Sequence, residues 1–281
     1  MTYSLNNQTI KESSAYDLAI FSFNSDKDYT VATFGNYNVA ANHNQIAFVS
    51  GFPNLNSTAT RMLTGGKIIE QGDADFNTKD SYSLQDNGKG LLYSNLSYGG
   101  MSGGAVLDRN GNLIGINTGA ENELYIDAES NYSEIALGYS LGVSIPSILS
   151  FIATETELKT EWLQITNDSV AEVNDSDYAS IEAQLLSVKE PKDNNIVAWM
   201  NYGNQLWRYE KYNEAIDAFN KVTTIDRDFH QAYYGLSLAY WGQENWNEGV
   251  NVLNKAVKIN PNLYYYWRNL GLSYSKLNGL R

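Results

Sequence analysis

From about residue 195 the chain repeats itself every 34 residues, and no other feature restricts its fold so tightly. Ala198 and Ala232 are one interval apart, as are Trp199, Tyr233 and Trp267. The same offset links Tyr202, Leu236 and Leu270, then Gly203, Ser237 and Gly271, then Leu206, Tyr240 and Tyr274. Later in the unit Ala215 matches Gly249, Phe219 matches Leu253 and Val222 matches Ala256, and Pro261 closes the second copy. A period of this length describes helix pairs that bury an apolar seam only by stacking on one another. Small residues at Gly203 and Ala215 let the two helices of a unit approach, and the large apolar residues fill the space between them. Two units are complete, and a third stops at Arg281 after its first helix. A solenoid ending on an uncapped helix exposes an apolar face, so the array is expected to continue further or to be covered by a partner.

The first half has a different texture. Short apolar runs alternate with glycine and asparagine turns: Tyr16–Phe23, Gln45–Phe52, Lys67–Ile69 after Gly65-Gly66, Leu91–Ser94, Ala105–Leu107, Leu113–Ile116 and Gly138–Ile145. Asn110-Gly111 is a hairpin signal, and Pro146 suits the first turn of a helix running to about Ile152. Many short strands of this kind form a barrel or sandwich. Within them stands Gly100-Met101-Ser102-Gly103-Gly104, running directly into Ala105-Val106-Leu107. Glycines around a serine allow backbone angles that a Cβ forbids, and let a carbonyl approach main-chain N–H groups. Such a turn presents a nucleophile.

Composition removes several function classes. The net charge is −13, and the 19 basic residues are scattered without a run or a basic-aromatic patch, which argues against nucleic acid. There is no cysteine, hence no disulfide, thiolate zinc site or cysteine nucleophile, and two histidines leave a metal centre unexpected. No cofactor is implied. No apolar run reaches 18 residues, so no membrane span is expected. The first 30 residues hold no basic segment followed by an apolar core. The compartment stays open, an exported or periplasmic parent included.

Asp17-Leu18-Ala19, Gly51-Phe52-Pro53, the serine turn, Leu113-Ile114-Gly115-Ile116 and Gly142-Val143-Ser144-Ile145-Pro146 occur in that order. Over roughly residues 10–153 this resembles the trypsin-like serine peptidases, in particular their disulfide-free bacterial branch with helical repeats downstream. The resemblance implies the end of a first β-barrel, a whole second barrel and a C-terminal helix. It implies Ser102 as nucleophile, Asp17 as the carboxylate that orients a base histidine, and the N–H groups of Gly100 and Ser102 as the oxyanion hole. Asn117, Thr118 and Gly119 would then lie along the substrate backbone, with Leu96 and Ser97 at the base of the specificity pocket. No acid stands between Asp86 and Asp108, so a pocket selecting Lys or Arg is not expected. The 34-residue pattern, in turn, resembles tetratricopeptide repeats. Arrays of that family hold proteins or extended peptides in a concave groove, for which Asn201, Asn204, Tyr234 and Asn269 are the candidates here.

One departure is large. In this order of triad members the histidine precedes the aspartate, and no histidine precedes Asp17; His43 follows it in a polar turn, and His230 lies among the helices. Most of the first barrel is absent too, so Met1 is expected to be an internal methionine of a longer protein, or the gene to be split. The expected architecture is a β + α chain. Residues 1–153 carry the C-terminal part of a trypsin-like domain, 154–194 a partly helical linker, and 195–281 the repeats. The expected function is that of a serine endopeptidase acting on a protein or peptide, with repeats that bind a protein partner. This chain is expected to be inactive without its base. The alternative is a non-catalytic interaction protein carrying a relic barrel.

Overall fold

The computed structural model describes residues 11–13, 18–21, 23, 25–35, 45–54, 60–69, 90–126, 132–156, 163–166, 176, 179 and 189–279. They fall into two compact units, and the division does not run at a single point of the chain. One unit takes the described residues up to 69, 90–119 and 140–166. The other takes 120–126, 132–139 and those from 176 on. Asp17 and His43 lie outside the described residues, as does most of the expected linker.

In the first unit β1 (Lys11–Ser13) pairs antiparallel with β2 (Leu18–Ile20). The main sheet has β3 (Ile46–Gly51), β4 (Met62–Lys67), β5 (Leu91–Tyr93), β6 (Ala105–Leu107), β7 (Leu113–Ile126) and β8 (Tyr132–Ser144), in the order β4-β3-β6-β7-β8-β5. Its outer strands meet. Ile68 bridges Tyr93 antiparallel, the Ile69 N–H donates to the Leu92 carbonyl, and the Ser94 N–H donates to the Lys67 carbonyl, each bond 2.9 Å. The sheet therefore curls round until its edges join, which satisfies backbone groups that an open edge would leave to solvent. Ala47, Val49, Leu91, Tyr93, Val106 and Ile114 fill the interior. Helix α1 (Ile145–Glu155), with Pro146 in its first turn, packs Ile148, Phe151 and Ile152 against Leu18 and Val143.

Three local expectations are corrected. Gly65-Gly66 is strand rather than turn, because a Cβ on Gly66 would collide with Asn95; the glycine is there so that two backbones can touch. The helix expected to about Ile152 runs on to Glu155 and ends at an extended Thr156, and Ile165 bridges Phe34. Strands β7 and β8 run far beyond the apolar segments 113–116 and 138–145 that mark them in the sequence.

In the second unit the helices are α2 (Ile196–Arg208), α3 (Tyr212–Ile225), α4 (His230–Gly242), α5 (Trp246–Ile259) and α6 (Tyr264–Leu277). They are two helix pairs followed by the first helix of a third, a tetratricopeptide-type solenoid. Asn195 and Asn245 cap α2 and α5, each side chain accepting an N–H of the first turn. The turn inside each pair repeats faithfully: Glu210 and Glu244, one interval apart, both adopt left-handed angles, with φ of 62° and 57°. Phe219 joins the pairs. Its ring lies between Gly203 of α2 and Gly235 of α4, where a Cβ on either glycine would approach it to 2.7 Å.

Candidate functional site

The serine turn is anchored by the residue before the serine. Met101 is fully buried among Val49, Tyr93 and Val106, and its N–H donates to the Tyr98 carbonyl at 3.0 Å. Its own carbonyl accepts from the Gly104 N–H at 3.0 Å and from Asn117 Nδ2 at 2.9 Å. Gly100 takes a φ of 92°, and a Cβ there would press on the Phe52 carbonyl at 2.8 Å, so both angle and space call for glycine. With Met101 turned inward, Ser102 is pushed outward and is exposed. Among the described residues, the N–H groups of Gly100 and Ser102 carry no hydrogen bond, while the N–H of Met101 between them is used. That alternation leaves two N–H donors of the turn unused among the described residues.

Asn117 holds the turn from beneath. Its N–H donates to the Gly104 carbonyl at 2.8 Å and its carbonyl accepts from the Gly103 N–H at 2.7 Å. Its fully buried side chain reaches Met101 O, Ser97 Oγ at 3.0 Å and the Tyr93 hydroxyl at 2.6 Å. Asn117 is thus committed to the interior in backbone and side chain, and Thr118 and Gly119 are the parts of that segment left towards the surface. Leu96 is half-buried and its carbonyl accepts from Thr64 Oγ1 at 2.8 Å, whereas Ser97 is buried against Asn117. Asp108, just after the motif, is structural: its carboxylate accepts from the N–H groups of Asn110 and Asn112 and from Asn112 Nδ2, closing the hairpin turn.

Ser102 Oγ donates to the Thr118 carbonyl at 2.9 Å. Among the described residues, no imidazole bonds to it. His230 belongs to the second unit and both its ring nitrogens are used. With Asn260 Nδ2 donating to Nε2 at 3.1 Å, Nδ1 carries the proton and donates to the Tyr266 hydroxyl at 2.8 Å.

The buried Asn117 network carries a stability prediction. Asn117→Leu keeps the branched shape but leaves the Met101 carbonyl and Ser97 hydroxyl without this partner, at about 1–3 kcal/mol for each buried polar group. The first unit is expected to lose about 2–3 kcal/mol in urea unfolding, and the Gly103 amide to exchange faster with deuterium. An unchanged urea midpoint with unchanged Gly103 exchange contradicts this role.

In the second unit the four groove candidates separate into two pairs. Asn201 Oδ1 accepts the Ala136 N–H at 2.8 Å and its Nδ2 donates to the Glu134 carbonyl at 3.2 Å. Asn204 Oδ1 accepts the Gly138 N–H at 3.0 Å. Tyr234 and Asn269 instead bond each other inside the helical core, Asn269 Nδ2 to Tyr234 Oη at 3.2 Å. The sequence reading missed Arg208, buried in the same unit, whose Nε donates to the Gly138 carbonyl at 2.7 Å. Its signal was its spacing: seven residues after Asn201 and four after Asn204, it falls on the same stripe of α2.

A curled barrel with a glycine-flanked serine turn, followed by paired helices in 34-residue register, defines a two-part chain of the peptidase-plus-repeat class. Family comparisons agree. Residues 3–116 match the trypsin-like peptidase domain, and residues 196–229 and 230–263 each match a tetratricopeptide repeat. The chain carries a trypsin-like peptidase domain fused to tetratricopeptide repeats. No curated protein matches it. A solved structure described as "MamA RS-1 ArsTM double mutant" aligns at 26% identity and a TM-score of 0.32, over 37% of this chain and 59% of its own. Among the described residues no helix is long and apolar enough to cross a membrane, and no group of three or more His, Asp or Glu gathers as a metal would require.

Proposed function

We propose that the first unit is a serine endopeptidase-type module that holds a protein or peptide segment on an assembled but unactivated serine turn, and that the repeats bind protein. In this reading Ser102 is the nucleophile position, and the Gly100 and Ser102 N–H groups are the donors to a bound carbonyl. Asp17 is the carboxylate that orients a base in the family. Thr118, Gly119, Leu96 and Ser97 flank the bound segment.

The observation that carries the reading is the hydrogen bond from Ser102 Oγ to the Thr118 carbonyl. A serine attacks well only when a base takes its proton as the new bond forms. A backbone carbonyl accepts the hydrogen bond but does not take the proton. Oxyanion donors and binding alone leave about 10³–10⁴-fold catalysis over water, far below a complete triad.

The test is fluorophosphonate labelling of the full chain, with trypsin labelled alongside and Ser102→Ala as control. The expected result is no Ser102-dependent labelling under conditions that saturate trypsin. Labelling that disappears in Ser102→Ala replaces this reading with that of a working endopeptidase.

A further inference from the structure

The second unit contains more than helices: residues 120–126 and 132–139, the far portions of β7 and β8, belong to it. They are seated on the first helices of the repeats. Tyr139 packs at a tilt against Trp207 of α2, with ring centroids 4.6 Å apart. Tyr125 meets the edge of Phe229, immediately before α4, at 5.5 Å. Glu123 accepts the hydroxyl of Tyr265 on α6. Ile135 and Leu137, two apart and so on one face of the strand, are fully buried in the helical core.

The polar contacts are those of a peptide being read along its backbone. Asn201 takes the N–H of Ala136 and the carbonyl of Glu134. Asn204 takes the N–H of Gly138, and Arg208 its carbonyl. Ala136 and Gly138 are also two apart, so these bonds fall on one edge of β8. Three side chains from one helix stripe thereby stand where a neighbouring strand's amides would be. None of these bonds goes to a side chain of the strand. They would serve any extended segment that offers two aliphatic residues at alternate positions, followed by glycine and then an aromatic.

We propose that the helix face formed by Asn201, Asn204 and Arg208 is a receptor for extended peptides occupied by the chain's own residues 132–139. An external partner segment with the pattern of Ile135-Ala136-Leu137-Gly138-Tyr139 enters by displacing that strand. This rests on reading the repeats as a protein-binding array. It is independent of the chemistry at Ser102, which fluorophosphonate labelling decides separately. A self-occupied receptor binds weakly in proportion to the fraction of time it is open: if about 1% of molecules are open, apparent affinity drops about 100-fold.

The test uses the full chain and a fluorescein-labelled synthetic peptide of residues 132–140, followed by fluorescence anisotropy. The native protein is expected to bind it at least about 100-fold more weakly than Ile135→Ser/Leu137→Ser, whose own strand is loosened. Adding Asn204→Ala and Arg208→Ala to that variant is expected to abolish binding, and a peptide with Leu137→Ser not to bind. Equal binding by native and loosened proteins overturns the proposal, as does a helical loosened variant that binds nothing. Should the loosened variant lose its helical circular dichroism, Asn201→Ala/Asn204→Ala decides by hydrogen exchange. Exchange at Ala136 and Gly138 at least about tenfold faster, with α4 and α5 amides unchanged, supports the proposal; unchanged exchange at both positions overturns it.

Discussion

Phe219→Ala is expected to remove about 3–5 kcal/mol from the helical unit, the usual cost of deleting a fully buried phenylalanine. The ring is 1% exposed and sits at the junction of two repeats, with Gly203 on one side and Gly235 on the other. Neither glycine has a side chain to move into the vacated space, so the cavity persists and the cost falls at the high end. Thermal unfolding followed by helical circular dichroism is expected to shift down by about 15–25 °C. The glycines supply a sharper check, because the sign of their effect depends on the ring. With Phe219 present, Gly203→Ala puts a Cβ 2.7 Å from Cε1 of a ring that Gly235 blocks behind, and is expected to destabilise. In Phe219→Ala the same substitution partly fills the hole and gains about 1 kcal/mol of helix propensity, so it is expected to stabilise. If Gly203→Ala has the same sign in both backgrounds, the ring is not the contact that holds the repeats together.

This junction also shows what was legible in the sequence. The 34-residue offset exposes Phe219, Gly203 and Ala215 as seam positions because each repeat must present the same face to its neighbours. The serine turn was equally legible, since its glycines answer to local backbone geometry: Gly100 has both the angle and the confinement that only glycine accepts. The reach of β7 and β8 was not. Residues 117–126 are largely polar, and nothing in their periodicity distinguishes strand from loop. Their order comes from side chains some 65 to 140 positions later, as in the Asn201–Ala136 and Tyr265–Glu123 bonds. The burial of Asn117 was hidden for a related reason. A polar residue beside a substrate-binding segment looks available, and only the packing of Tyr93, Ser97 and Met101 around it reveals that it is buried. Asn201 and Asn204 carry no sign in the sequence that links them to Glu134, Ala136 and Gly138, the residues they bond. The repeat is a property of neighbours in the chain; the strand bonded to α2 is a long-range fact.

The helical core dictates how the protein should fail at high pH. Tyr234, Tyr265 and Tyr266 pack ring against ring with centroids 4.7–5.2 Å apart. Burial holds all three phenols well above the ordinary value of 10.0. Neighbouring negative charge adds to it, from Glu121 at Tyr234 and from Glu123 at Tyr265 and Tyr266. Below pH 10 folded and unfolded chains both keep these protons, and stability is unaffected. Above it the unfolded chain releases them while the folded one does not, so each step in pH favours unfolding. Linkage sets the slope at about 1.4 kcal/mol per pH unit for each phenol, or about 4 kcal/mol per unit for three. Two or three such units remove about 8–12 kcal/mol, as much as most domains of ordinary stability (about 5–15 kcal/mol) possess. The helical signal is therefore expected to hold through pH 10 and to collapse cooperatively about one to three units above it, with a jump in tyrosinate absorbance at the pH of collapse. Tyr265→Phe removes one titrating group together with the Glu123 bond and is expected to make the loss of stability with pH about a third shallower. Smooth tyrosinate titration around pH 10 for every tyrosine while the helices persist would show that these phenols are open to solvent, and that the strand carrying Glu121 and Glu123 does not cover them.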